Sequence, residues 1–204
     1  MRNPIRLKNL RVRFLPYIAL GIVILVLRQP TPMGFALGMP LVVVGAGLRS
    51  WAAGHLVKTD ALTTEGPYAH LRHPLYLGTL LVATGFAFVL GGLFTVAILA
   101  FVWPWFALHY FPRKERGESA RLLACHGEAF TRYRDAVPAL WPRWRAYHDT
   151  LRPHGSGAAV EPVALGGAPA WQLERYSDNN ELGTLLAILA GSLLLVARAV
   201  WGLH

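Results

Sequence analysis

Four stretches of the chain carry no Asp, Glu, Lys or Arg: residues 14–27, 29–48, 74–112 and 182–197. An α-helix rises about 1.5 Å per residue, so roughly 20 apolar residues cross a hydrocarbon core about 30 Å thick. The second stretch, whose apolar character runs on to Val57, predicts one span. The third is 39 residues long and predicts two, with Gly91-Gly92 near its middle as the turn of a tight hairpin. In that hairpin Gly78 and Gly85 offer close helix contacts, Pro104 predicts a kink, and Trp103, Trp105, His109 and Tyr110 mark the return to the interface. The first stretch has only 14 residues, and Arg13 and Arg28 lengthen it by reaching outward. The last continues past Arg198 to Trp201 and predicts a fifth span, about 182–201.

Residues 113–152 reverse the pattern, with nine Lys and Arg side chains. Within them Leu122, Leu123, Phe130, Tyr133 and Val137 recur at spacings that suit one helix face, predicting an amphipathic helix lying on anionic lipid until Pro138 and Pro142 end it. Residues 153–170, rich in Gly, Ala and Pro, read as a linker. The expected architecture is an all-α polytopic integral membrane protein. It has about five transmembrane helices plus a cytosolic amphipathic helix, in one membrane domain over residues 1–204.

Composition agrees with this. Of 204 residues 54% are apolar and 15% charged, and the mean hydropathy is +0.37, too apolar for an ordinary soluble domain. The formal charge is +9. In so hydrophobic a chain a basic excess marks one face of a membrane and not a nucleic-acid partner. Of the 20 Lys and Arg, 17 fall in residues 1–13, 58–74 and 111–181, with Arg28 and Arg198 opposite and Arg49 inside a span. The positive-inside rule puts the 17 in the cytosol. Residues 1–13 look like the basic start of a signal peptide, but no small-residue cleavage site follows the apolar run, so a retained first helix is expected. Arg49 has two readings, a functional charge within a span or a side chain reaching the interface. Cys125 stands alone, which excludes an intrachain disulfide and any Cys-based metal site.

Candidate chemistry gathers in residues 66–78, GPYAHLRHPLYLG, at the edge of the third stretch. Pro67 and Pro74 disfavour helix at the residues before them, so a loop should turn into a helix near Pro74. The unpaired N–H groups of such a helix start can receive an anionic or polar group. Tyr68, His70, Arg72, His73 and Tyr76 surround them. A membrane-interface belt explains Tyr, His and Arg there, but it asks for neither the two prolines nor the two glycines.

The pattern GPYxxxRHPxYxG resembles the signature of the integral membrane methyltransferases that include isoprenylcysteine carboxyl methyltransferase and the phospholipid methyltransferases. Residues 118–133 resemble that family's second half, with Glu118, Leu122, Gly127, Tyr133 and Val137-Pro138 matching. Ser119, His126 and Phe130 depart from it. Together the halves cover about residues 45–143. The resemblance implies S-adenosyl-L-methionine as methyl donor, with contacts at Asp60, Ala61, Leu62, Thr63, Tyr68, His73, Pro74, Leu75, Tyr76 and Glu118. Asp60 stands where the prenylcysteine enzymes commonly have His. Lys114 stands at their substrate-contacting Arg, keeping the charge without the bidentate geometry; Lys114 and Glu118 are the implied catalytic residues.

These residue types suit a sulfonium donor: tyrosines offer faces to a cation and a base, and a carboxylate accepts from amine or hydroxyl groups. The implied acceptor is a membrane lipid or a prenylated or acylated small molecule, a carboxylate by preference. A lipid amine is the alternative, and it would need His73 or Glu118 as a base. A non-catalytic lipid-binding protein is the reading from another class. His70 and His73 lack a third ligand, so no metal site is expected, and no glycine-rich strand–helix turn points to a soluble dinucleotide-type fold.

Overall fold

A computed structural model describes residues 29–57, 62–148 and 171–201. The first expected span, the linker, Asp60 and Ala61 lie outside the described residues. Five helices occupy the rest: α1 Pro32–His55, α2 Pro74–Leu90, α3 Leu93–Ala136, α4 Leu173–Asp178 and α5 Glu181–Trp201. No strand occurs among the described residues. Helices α1, α3 and α5 are long and apolar enough to cross a membrane. The 17 residues of α2 rise about 25 Å, close to one hydrocarbon thickness. Large apolar side chains such as Leu93, Phe101 and Leu108 on α3 and Leu193 on α5 lie exposed, a surface that a bilayer covers and water does not.

Local chemistry sets the helix starts. Thr31 caps α1, its hydroxyl accepting from the Gly34 N–H at 3.0 Å, with Pro32 in the first turn. Pro74 likewise opens α2. Gly91 and Gly92, with φ of 67° and 55°, make the expected turn of the hairpin, because a side chain there would strain the backbone. Thr95 Oγ1 donates to the Ala87 carbonyl at 3.0 Å, and Trp103 Nε1 to Thr84 Oγ1 at 2.8 Å, holding the two arms together. Pro104 sits between two stretches of wider turns, Ile98–Val102 and Phe106–Tyr110, which absorb its missing N–H.

The close helix contacts expected of the glycines are present, and their partner is α1. Gly78 and Gly85 face α1, not the other arm of the hairpin. A Cβ on Gly78 would stand 2.8 Å from the Gly45 carbonyl oxygen, and one on Gly85 2.6 Å from that of Gly38. The seven-residue spacing on both helices keeps these glycines on one face, so the backbones touch along α1 and α2.

Arg49 neither reaches for water nor stands alone. Its Nε and Nη2 donate to Glu181 Oε1 and Oε2 at 2.7 and 2.8 Å, and its Nη1 donates to the Leu75 carbonyl at 3.3 Å and to Thr79 Oγ1. One largely buried ion pair thus ties α1, the first turns of α2 and the start of α5 together. The end of α1 is covered by the same returning segment. Trp171 Nε1 donates to the Ser50 carbonyl at 3.0 Å, Gln172 N–H to that of Gly54 at 3.0 Å, and Asn179 Nδ2 to those of Ala53 and Leu56 at 2.8 and 3.0 Å. Carbonyls that a helix end leaves without partners are satisfied in this way. Residues 171–180 therefore lie beside the end of α1, on the side of the loop that opens α2.

The expected amphipathic helix takes another form. Residues 113–136 are helical, but they are not set off as a helix of their own. They continue α3 without a stop at the membrane edge. Residues 93–126 would reach about 51 Å, well beyond a ~30 Å core. Gly127, at φ 50°, then breaks the path, and Phe130, Tyr133 and Val137 turn inward to pack with Leu62, Leu122 and Tyr147. Of the apolar positions found in the sequence, Phe130, Tyr133 and Val137 bury against the protein, Leu122 packs beside them and Leu123 stays exposed.

Removing one partner of a buried ion pair strands the other charge, which costs on the order of 3–5 kcal/mol. Glu181→Ala is expected to lower the melting temperature of the detergent-solubilised protein sharply, and the exchange Arg49→Glu with Glu181→Arg to recover part of the loss. Thermal unfolding followed by circular dichroism checks both.

Candidate functional site

The loop before α2 is fastened to the chain that follows α3. The N–H groups of Arg72 and His73 donate to the Pro138 and Ala139 carbonyls at 2.9 and 3.0 Å; Arg143 and Tyr147 donate theirs to His70 and Ala69 at 3.0 and 2.9 Å. Side chains add to this: His70 Nδ1 donates to the Arg143 carbonyl at 2.9 Å, Arg72 Nε to that of Val137 at 3.0 Å, and the Tyr133 hydroxyl to that of Tyr68 at 2.8 Å. The two prolines of the loop make this possible. They hold residues 66 and 73 out of the helical region, leaving donors and acceptors of residues 69–73 for a neighbour.

Between loop and helix lies a cavity of about 260 Å³. The end of α1 and the start of the loop supply Leu56, Val57, Leu62 and Thr63; the loop supplies Tyr68, Arg72 and His73; α3 supplies Glu118, Ser119, Arg121, Leu122, Phe130 and Tyr133. Of the residues expected from the sequence, Leu62, Thr63, Tyr68, His73 and Glu118 come together at this wall. Pro74, Leu75 and Tyr76 do not line it. Pro74 is fully buried, the Leu75 carbonyl is taken by Arg49, and Tyr76 stacks on His73 with ring centroids 5.5 Å apart. Tyr76 supports the site from behind, packed edge-on to Phe106, Tyr110 and Phe111. Lys114 is exposed and does not line the cavity, whose cationic side chains are Arg72 and Arg121.

Glu115 is the residue that motif matching missed. Its carboxylate accepts from Arg72 Nη1 and from His73 Nε2, while His73 Nδ1 faces Glu118 Oε2 at 3.8 Å. The signal was available: Glu115 and Glu118 are three residues apart, so on a helix both face the same neighbour. Burial works to raise the Glu115 carboxyl, but the hydrogen bond and charge of His73 and the charge of Arg72 outweigh it, so Glu115 sits below the usual carboxylate range. Burial, with Tyr133 and Glu118 adding to it, pushes the Tyr68 hydroxyl far above the usual tyrosine range. Burial does the same to Tyr133 against the opposing charge of Arg72. Both phenols stay neutral. The arrangement offers aromatic faces, two neutral phenols, an exposed carboxylate and two guanidinium groups around one small space. It has what is needed to bind a cationic, carboxylate-bearing molecule.

Comparison with known proteins bears on the same region. Residues 33–115 match the phospholipid methyltransferase family. Over 113 residues the chain is 38% identical to the cobalt-zinc-cadmium resistance protein CzcN of Cupriavidus metallidurans, which covers 54% of this chain and 49% of that protein. Over 100 residues it is 29% identical to the protein-S-isoprenylcysteine O-methyltransferase of Schizosaccharomyces pombe, covering 48% and 40%. Over 109 residues it is 35% identical to the nickel-cobalt-cadmium resistance protein NccN of Alcaligenes xylosoxydans xylosoxydans, covering 52% and 47%. The chain thus spans half or less of the length of these curated relatives. No solved structure matches it.

Because the Glu115 carboxyl is held below its ordinary range, the stabilisation it gives is present above that range and is lost as pH falls through its lowered value. Glu115→Gln is expected to be less stable than the parent at neutral pH, with the gap closing as the pH drops below about 4.5. Denaturation midpoints of the two proteins across pH 3–7 measure this.

Proposed function

We propose that this chain, whose residues 33–115 match the phospholipid methyltransferase family and which is similar over 100 residues to a protein-S-isoprenylcysteine O-methyltransferase, moves a methyl group from S-adenosyl-L-methionine to an amphipathic acceptor held in the membrane. The observation that carries this reading is the cavity itself. Tyr68 and His73 from the loop meet Glu118 from α3 across one space, where a membrane-spanning helix begins. The lining suits the donor: a small cavity with aromatic walls, a carboxylate that accepts from an amine or ribose hydroxyls, and cationic side chains for a carboxylate. The resemblance also implies donor contacts at Asp60 and Ala61. When bound, S-adenosyl-L-methionine supplies an electrophilic methyl group on a sulfonium. The chain's own part is to hold and orient. Tyr68, Phe130 and Tyr133 offer faces to a cation, Thr63 a hydroxyl, and Glu118 a charged acceptor, and the apolar Leu62 and Leu122 keep water out.

A carboxylate acceptor needs no proton removed before attack, so positioning alone serves it, with Arg121 and Arg72 in place of Lys114 as the charges nearest the cavity. One observation favours the lipid-amine alternative. Glu115 accepts the Nε2 proton of His73, leaving Nδ1 facing Glu118 at the cavity wall, where it can take a proton from an ammonium head group. Two of the relatives are named for metal resistance; the cavity carries the methyl-transfer reading and the family match supports it. We place the cavity on the cytosolic face, the side that carries most of the Lys and Arg.

The acceptor's tail is expected to matter as much as its head. The loop runs straight into α2, so a chain lying in the bilayer can present its head group at the cavity, gaining about 0.8 kcal/mol per buried methylene. Two acceptors with one head group, one long-chained and one truncated, should differ widely in turnover when the protein and methyl-labelled donor are supplied. Equal turnover would defeat a membrane-held acceptor, and turnover confined to amine heads would select the N-methyl alternative.

A further inference from the structure

Residues 137–148, VPALWPRWRAYH, leave α3 and run back along the loop. Trp141, Arg143, Trp144 and Arg145 do not line the cavity. Trp141 is 76% exposed and Trp144 99% exposed, three residues apart. An indole is a large apolar surface with one polar N–H, and folding rarely leaves two of them side by side in water. Arg143 and Arg145 alternate with them, and residues 137–148 contain no acid. Arg143 is fixed in place, its Nη1 donating to the Ala136 carbonyl at 2.6 Å, and Arg145 is exposed.

The depth of this segment in the molecule follows from its hydrogen bonds. Arg72 and His73, whose N–H groups bond to Pro138 and Ala139, immediately precede the helix that enters the apolar region at Pro74. Arg143 bonds to His70, and the His70 ring lies 6.4 Å from that of Trp51 near the end of α1. Trp51 stands in the last turns of α1, which ends at His55. The tryptophans at 141 and 144 are therefore held near the end of α1 and the start of α2, where a bilayer's head groups lie. Tryptophan is favoured at that level because its ring suits the apolar side and its N–H the wet side. Guanidinium groups beside it match phosphate oxygens, and anionic lipid draws such basic segments to its surface.

We propose that Trp141 and Trp144, with Arg143 and Arg145, form an anchor that docks the site-bearing loop onto the anionic head-group layer of the membrane. The partner is the lipid surface itself. Because the anchor is bonded through its backbone to residues 69–73, it fixes the height of the cavity wall relative to the bilayer, whatever the acceptor is.

The test uses the full chain in bilayers of phosphatidylcholine with a minor fraction of phosphatidylglycerol. It compares the parent with Trp141→Phe/Trp144→Phe, and the difference in emission isolates the two indoles. A lipid bearing a nitroxide on its head group is expected to quench most of that difference emission, while aqueous acrylamide quenches little of it. The opposite pattern, quenching by acrylamide and not by the nitroxide, overturns the anchor. Protection from both quenchers also overturns it, because the indoles would then be covered by protein, either this chain or a second copy. Replacing the phosphatidylglycerol by phosphatidylcholine is expected to raise acrylamide access; unchanged access would remove the arginines from the assignment.

Discussion

The carboxylate of Glu115, held between Arg72 and His73, is the interaction on which the candidate site depends. It joins two parts of the chain that lie far apart in sequence, the loop before α2 and the later turns of α3. A carboxylate flanked by a guanidinium and an imidazole is worth more where water is partly excluded. Breaking it would leave charge stranded beside the cavity. The pair also orients His73, whose other nitrogen faces Glu118, so one acid sets the geometry of the other three side chains. Around it the backbone bonds from residues 69–73 to 138–147 fix the register, and the buried Tyr133–Tyr68 contact closes the floor.

Behind the site the membrane-edge scaffold is rigid for simple reasons. Glycines on α1 and α2 bring two backbones into contact, a packing that works in lipid where burial of apolar area supplies no net drive. Arg49 and Glu181 add a third helix, and Arg49 also holds the Leu75 carbonyl just beneath the loop. The end of α1, which supplies Leu56 to the cavity, is sealed by Asn179 and Gln172. Helix α5 and its approach lie outside residues 33–115, yet they hold the matched region in shape.

The parts of this architecture that were legible in the sequence are those set by the solvent. The charge-free runs among the described residues had to become helices because lipid offers backbone groups no partner, and paired glycines in the middle of one run had to turn. Prolines at 67 and 74 announced a loop leading into a helix. What the sequence hid was pairing at a distance. Arg49 gave no sign that its partner was Glu181, 132 positions away. Gly78 and Gly85 were visible as contact residues, but nothing local said which helix they would meet. The basic composition after residue 112 looked like a new element because charge ends a span; a helix, however, continues as long as its own hydrogen bonds do, and α3 runs on into the basic segment. Lys114 drew notice by its place in a motif, whereas Glu115 beside it was decided by which face of α3 meets the loop.

The central claim is that loop and helix together bind the methyl donor, and calorimetry of S-adenosyl-L-methionine with detergent-solubilised protein tests it most directly. The account predicts saturable binding that Glu118→Ala weakens about ten- to a hundredfold, the loss of one hydrogen bond between charged groups, on the order of 1.5–3 kcal/mol. Absence of binding to the folded parent, or an unchanged affinity in folded Glu118→Ala, would contradict it.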